Sequence, residues 1–368
     1  MLRYLLSGGR VATVDTAAGA RSTAVSPSAV AAAFAPGART LAVSPPGAGP
    51  VLSDPVSGAR LGPSLGGTPA GALAFASDGR TLASVPYASV PHASVPHASV
   101  SRPDEARGPG DAATVSLWSV PDGRPLRRIP IARAASVGGL AAGGHVLAAA
   151  PVAGDYEPVR VWDLSSGVEV PVPRRTGWDV MAVSPDGRVL VVGGRDATLI
   201  DLVAGTSTGR PFGPVLDGVR SIAFSPDGSA VATGFHEAGV GLWDARTLRR
   251  AGTLAPEKGR FDDVVALAYS PDGRLIATGG TSGEVRLWDA AARSPLGLPY
   301  AVHAGPVLAL AFGADGRYLY SAGKDGTLRR YTMDPQRAAA EVCARAGGGL
   351  GDDDWRRLVP ETPYRKVC

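Results

Sequence analysis

Lysine is nearly missing from this 368-residue chain: 3 lysines stand against 34 arginines, beside only 2 cysteines, 3 methionines and 5 histidines. Each shortage removes a class of function. A metal centre needs three or four converging ligands, and the histidines and cysteines are too few and too scattered to supply them. The arginines are interleaved with 33 acids to a net charge of +4. The basic stripe of a nucleic-acid binder is therefore missing. Apolar runs are short, as at Ala29 to Ala35 and Val146 to Ala153, well below the roughly 20 residues of a membrane span. Met1 to Gly9 has one early arginine but neither a long apolar core nor a small-residue cleavage pattern, so no secretory signal is expected. A cytoplasmic protein is the expectation. There is no GxSxG elbow, no phosphate-binding P-loop and no HExxH pair. No catalytic, cofactor-binding or metal site is assigned, and no cofactor is expected. The one loose gathering of acids and histidine, Asp155, Glu157, His236 and Glu237, suits hairpin loops equally well.

Glycine and proline are abundant, 49 and 32 residues, as a chain that turns every eight to twelve residues requires. They fall in a pattern. Ser184-Pro185-Asp186-Gly187 recurs as Ser225-Pro226-Asp227-Gly228 and Ser270-Pro271-Asp272-Gly273, then as Gly313-Ala314-Asp315-Gly316, at steps of 41, 45 and 43 residues. Eroded copies precede these: Ala141-Ala142-Gly143-Gly144, Ala76-Ser77-Asp78-Gly79 and Ala35-Pro36-Gly37, at steps of 43, 65 and 41. Each phrase lies between two alternating apolar runs, such as Val219 to Phe224 and Ser229 to Thr233. Proline fixes φ at the first corner and Asp-Gly supplies an acceptor and a residue free to take positive φ, so the pattern reads strand, tight turn, strand. A second landmark keeps phase with the first. Eighteen residues after the phrase begins, a third strand ends in Trp243-Asp244 and Trp288-Asp289; the same offset falls on Tyr331, Leu202 and Ser53-Asp54, and Trp162-Asp163 comes at 21.

A 40 to 45 residue period with four short strands per unit is the signature of a propeller blade. The two landmarks, repeated in phase across residues 28 to 333, resemble the WD-repeat β-propellers. That resemblance implies an all-β propeller, a monomeric ring binding protein partners without catalysis, and the seven copies of the phrase make it a seven-bladed β-propeller. Such repeats often carry a buried network of His, Ser/Thr, Asp and Trp. The last repeat approaches it with His303, Ser321 and Asp325, and Tyr331 in place of Trp; in the two before it the Asp position reads Ser282 and Glu237, without a matching His. His303 and Asp325 are read as a satisfied structural network rather than a catalytic pair. The other blades are expected to rely on apolar packing between neighbours.

The seventh repeat runs out after three strands, near Tyr331, and an open edge needs covering. Ala20 to Val25, or alternatively Val11 to Asp15, is expected to complete the last blade. An eight-bladed ring that uses the whole N-terminal segment is the alternative.

The repeat with a 65-residue step carries a 24-residue surplus between its second and third strands, where Ala-Ser-Val recurs every five residues around His92 and His97. Residues of about 85 to 110 are expected to be a disordered loop, and no acid or cysteine keeps phase with its histidines to make a metal site. After Asp334, where the propeller domain (1 to 334) is expected to end, the pattern turns helical over Pro335 to Ala346 and again over Asp352 to Leu358. This tail, 335 to 368, holds both cysteines. A Cys343–Cys368 disulfide stapling the extended end to the first helix is expected, worth on the order of 3 kcal/mol for a loop of this size; two reduced thiols are the alternative. The run from Cys343 through Trp355 to Pro363-Tyr364-Arg365-Lys366 and Cys368 resembles the closing segment of many actinobacterial WD-repeat proteins. That resemblance implies a regulatory or signalling association in a bacterium.

Two functions follow as expectations. The first is a protein-interaction scaffold, with Trp178 and Trp355 as exposed-anchor candidates weighed against ordinary core roles. The second is a ligand-sensing or hydrolytic propeller, which would need acids or histidines from several blades to converge at the central channel.

Overall fold

A computed structural model of the chain describes residues 2–6, 10–14, 21–86, 113–120, 122–131, 137–151, 158–173, 180–193, 197–207, 218–236, 239–255, 262–297, 299–301, 303–334, 353 and 356. Seven antiparallel sheets follow one another along the chain. Blade 1 has three strands, Ala31–Phe34, Leu41–Ser44 and Val51–Ser53. Blades 2 to 6 each add a fourth, with inner strands Ala70–Phe75, Val137–Gly143, Val180–Val183, Val219–Phe224 and Val264–Tyr269. Blade 7 runs Val307–Phe312, Tyr318–Gly323 and Thr327–Thr332 and takes its outer strand from the N-terminus. Each inner strand touches the inner strands of both neighbours, including Val307–Phe312 against Ala31–Phe34, so the seven close into a ring.

What holds the ring is apolar surface between blades. Seven buried clusters lie at the seven interfaces. At the interface of blades 5 and 6, Val240, Leu242 and Leu254 pack on Val264, Ile276 and Trp288. At the closing interface, Leu41 and Val43 of blade 1 meet Tyr320, Ala322 and Leu328 of blade 7. Each sheet buries both faces, which is why its middle strands read as nearly continuous apolar runs, as at Leu190, Val191 and Val192, all fully buried.

The seam of blade 7 is closed by Arg21–Ala24, antiparallel to the third strand with Arg21 opposite Arg330 and Ala24 opposite Thr327. This is the strand expected over Ala20 to Val25. Val11 to Asp15 does not take that place, because Arg10–Val14 pairs with Leu2–Leu6 as a separate hairpin. The eight-bladed alternative therefore fails: that hairpin is a two-stranded sheet joined to none of the seven.

Two turns depart from the repeat. In blade 3, Gly143 pairs with Val146, leaving Gly144 and His145 as a two-residue hairpin loop. Gly144 sits at φ 54° in the first loop position, where such turns favour glycine. In blade 4 the third strand ends at Asp201, one residue before the offset that fell on Leu202. The expected insertion loop, including His92 and His97, falls mainly on residues 87–112, which lie outside the described residues, as do Trp178, Trp355, Cys343 and Cys368. Of the tail, only Asp353 and Arg356 are described, both helical and exposed. Among the described residues no helix is long and apolar enough to cross a membrane.

Candidate functional site

The repeated phrase builds one face of the ring. In Ser225-Pro226-Asp227-Gly228 the Ser225 hydroxyl donates to Asp227 Oδ1 (2.6 Å) and accepts the N–H of Ala230 (2.9 Å), while Asp227 Oδ1 also accepts the N–H of Ser229 (3.1 Å). The Ser184 and Ser270 turns repeat these bonds. Donors from Ser225 and Ser229 hold the Asp227 carboxyl down at about 2. These turns meet edge to edge. A methyl added at Gly228, Gly273 or Gly316 would lie 3.8, 4.0 or 3.8 Å from Cδ of Pro185, Pro226 or Pro271 in the preceding blade. Gly37 and Ala314 join blades 1 and 7, where the N–H of Ala314 donates to Gly37 O (3.2 Å), and Ser77 Oγ donates to Gly144 O (2.8 Å) between blades 2 and 3. The seven turns form a closed collar around one end of the ring.

Exposed side chains stand on that collar just past the turn glycines: Arg39, Arg80, His145, Arg188, Ser229, Arg274 and Arg317, one per blade. Arg274 and Arg317 lie 3.9 and 3.8 Å from the aspartates two residues before them. Blade 1 has lost that aspartate, so Arg39 has none. A cavity of about 610 Å³ opens beside the collar here, lined by residues of blades 1, 2, 6 and 7 that include Arg39, Leu61, Asp78, Arg80, Tyr269 and Phe312. Among the described residues that line it are two guanidiniums, one carboxylate and no imidazole. Asp78 Oδ1 is occupied by the N–H groups of Arg80 (2.7 Å) and Thr81 (3.3 Å). Burial, aided by the charge of Asp227, pushes the Tyr269 phenol well above its ordinary value, which keeps it a neutral hydroxyl.

The Trp-Asp landmark divides into two jobs. Its aspartates cap the turn to the outer strand: Asp163 accepts the N–H of Ser166 (2.7 Å), Asp244 that of Thr247 (2.6 Å) and Asp289 that of Ala292 (2.7 Å). Asp54 and Asp201 do the same, to Ser57 and Ala204. Donors from Ser165 and Ser166 hold the Asp163 carboxyl down at about 2. The tryptophans face the second strand, where Trp243 Nε1 donates to Thr233 Oγ1 (2.8 Å) and Trp288 Nε1 to Thr278 Oγ1 (3.1 Å). Trp118 Nε1 donates to Ser84 Oγ (2.8 Å) in blade 2. Blade 3 has Ala149 at the hydroxyl position, and there the guanidinium of Arg160 lies 5.3 Å over the Trp162 ring.

His303, Ser321, Asp325 and Tyr331 come together. His303 Nε2 lies 2.7 Å from Ser321 Oγ, and Nδ1 lies 3.1 Å from Asp325 Oδ1 and 3.0 Å from Thr327 Oγ1; Tyr331 Oη reaches Ser321 Oγ at 3.2 Å. The order Ser–His–Asp is that of a hydrolase triad, but Ser321 is fully buried and its hydroxyl is shared with Tyr331. Burial depresses the His303 pKa below its ordinary value, against the raising effect of Asp325. A neutral ring then donates from Nδ1 to Asp325 and accepts at Nε2 from Ser321. Burial would raise Asp325, but the N–H groups of Ala304 and Thr327 hold its carboxyl low.

Blade 6 makes a corresponding clasp with the partners exchanged, a feature the sequence reading missed. Asp262, just before the inner strand, accepts from Thr281 Oγ1 and from the N–H (2.6 Å) and hydroxyl (2.5 Å) of Ser282. A methyl at Gly280 would strike Asp262 just as one at Gly323 would strike His303. His236 contacts Asp263 beside it, while Asp155, Glu157 and Glu237 lie outside the described residues. Among the described residues no cluster of metal-ligating side chains occurs.

The fold and collar define a seven-bladed β-propeller. The family described as "WD domain, G-beta repeat" matches residues 212–244, 253–289 and 297–331, blades 5, 6 and 7 up to their third strands. The chain is similar, at 17% identity and a TM-score of 0.67, to a chain of the solved structure "Crystal Structure of Mitotic Checkpoint Complex", over 87% of this chain and 93% of that one. At that identity the likeness is one of fold. No curated protein sequence gives a significant match.

Proposed function

We propose that this chain is a non-catalytic protein-interaction scaffold whose binding face is the collar and its adjoining cavity. The observation that carries this reading is the separation of roles within the ring. The network of His303, Ser321, Asp325 and Tyr331 and the Asp262 clasp are each satisfied within their own blades, whereas arginines, a cavity with a partly apolar lining and a partly buried tyrosine gather on one face. Such a combination is what protein hot spots use. Exposed apolar residues extend the same character along the outer parts of blades 1 to 4, with Val56, Leu61, Val168 and Val203 in turns and loops and Leu126 on the outer strand of blade 2. A hydrolytic reading gains little from a cavity whose described lining holds one carboxylate, already bonded to backbone.

The reading includes a monomeric ring over residues 1–334, a distinct tail over 335–368 and a regulatory or signalling role in the cytoplasm of a bacterium. Affinity purification with mass spectrometry tests it, using the full chain and a Leu61→Asp variant shown by circular dichroism to fold alike. Specific companions that disappear with Leu61→Asp are the expected result. Companions retained in full by the variant would remove the cavity from the binding face, and none on either protein would overturn the scaffold reading.

A further inference from the structure

The chain leaves the ring at the collar. In blades 5 and 6 the residue after the third strand is tied to the collar position of its own blade, Ala245 N–H to Ser229 O (2.8 Å) and Ala290 N–H to Arg274 O (2.9 Å); in blade 7 Met333 N–H donates to Arg317 O (2.7 Å). Blade 7 takes its outer strand from the N-terminus, so its third strand hands the chain to the tail on the cavity's own face. Phe312 and Ala314 of that blade line the cavity. Eighteen residues beyond Asp334 the sequence reads Asp352-Asp353-Asp354-Trp355. That length spans about 27 Å even if wholly helical and about 60 Å if extended.

The cavity and this segment match in chemistry. Arg39 and Arg80 are exposed at the lining, and neither forms an ion pair among the described residues, unlike Arg274 and Arg317. The apolar part of the lining includes Leu61, Tyr269 and Phe312. We propose that Asp352 to Leu358 docks in this cavity in cis, with Trp355 on the apolar lining and Asp352 and Asp354 toward Arg39 and Arg80. Within this segment Asp353 and Arg356 are helical and exposed. If the cavity also receives a partner, the tail competes with it. That competition rests on the scaffold reading, whereas the docking itself does not.

The full-length chain carrying Trp355→p-benzoylphenylalanine tests the docking by photo-cross-linking, with cross-links mapped by mass spectrometry. Links within one copy to peptides holding Leu61, Arg80 or Tyr269 are expected, reduced severalfold by Arg39→Glu with Arg80→Glu and recovered when Asp352→Lys and Asp354→Lys are added. Links elsewhere on the ring, links only between copies, or links indifferent to both charge reversals overturn it. Hydrogen exchange of the unlabelled chain supplies a second readout. Amides of 352–358 should be protected and lose that protection in Arg39→Glu, Arg80→Glu; equal exchange in both proteins overturns the docking independently of any partner search.

Discussion

Trp118 donates its indole N–H to the hydroxyl of Ser84 across 2.8 Å, joining the third and second strands of blade 2 inside the sheet. The same bond recurs at Trp243–Thr233 and Trp288–Thr278. Blade 4 shows the alternative, with Ile200 and Val192 both fully buried at the corresponding places. Removing both polar partners together is close to neutral, while removing one strands the other. Ser84→Ala should therefore destabilise the ring by about 1–3 kcal/mol, and adding Trp118→Phe should cost much less than it does alone. Denaturant titration of the four proteins gives the coupling; additive effects would show that the bond does not contribute as a pair.

His303 gives a pH dependence with a fixed sign. Its pKa is lowered in the folded state by burial, so the unfolded chain binds the proton more readily. The stability contributed by the neutral ring is complete above about pH 6.5, the unfolded value, and is lost as pH falls through the lower folded value. Thermal midpoints across pH 7 to 4 should show this loss, with the His303 imidazole titrating below 6.5 by NMR. In His303→Asn that step should vanish; an imidazole titrating above 6.5 would reverse the argument.

The periodic parts of the ring were legible because they depend on local chemistry. The Pro-Asp-Gly turn and the Trp-Asp strand end are each made by adjacent residues, so their spacing marks the blades; the missing fourth strand of the last repeat then points to the N-terminal segment, where Ala20 to Val25 and Val11 to Asp15 both qualify. Trp118 escapes the Trp-Asp pattern because Ser119 follows it in place of Asp and the 24-residue surplus moves it out of phase. The clasp of blade 6 was hidden for another reason. The expected pattern places His before the inner strand and Asp after the second, but Asp262 supplies the acceptor from the opposite side, and Thr281 and Ser282 donate. The cavity depends on residues from four blades and on the missing aspartate of blade 1, a relationship no single repeat displays.

Asp262 can be tested where it acts. Its carboxylate accepts the backbone N–H of Ser282 and two hydroxyls, which pins the turn between the second and third strands of blade 6 to the loop before its inner strand. Asp262 is half-buried and Ser282 exposed, so Asp262→Ala should cost about 0.5–1.5 kcal/mol, the net worth of ordinary hydrogen bonds. The amide of Ser282 should exchange faster while those of the inner strand Val264–Tyr269 hold their protection. Unchanged exchange at Ser282 would show that the clasp does not control that turn.

The collar allows backbone strain to be separated from crowding between blades. Gly273 and Gly37 have nearly the same positive φ, 71° and 68°. A methyl at Gly273 would lie 4.0 Å from Pro226 Cδ, in ordinary contact, whereas one at Gly37 would lie 2.8 Å from Cβ of Ala314. Gly273→Ala should cost only the left-handed conformation, about 1–2 kcal/mol. Gly37→Ala carries that cost and must also part blades 1 and 7, where the Ala314 N–H to Gly37 O bond and the N-terminal strand close the ring. Its loss of stability should be clearly larger, and amide exchange should rise in Arg21–Ala24. Ala314→Gly added to Gly37→Ala should relieve the crowding part alone and bring the double variant toward Gly273→Ala, after allowance for the cost of the new glycine. Equal costs for the two single variants would mean that the seam between blades 7 and 1 yields without strain, and that the collar turns do not bear on one another in closing the ring.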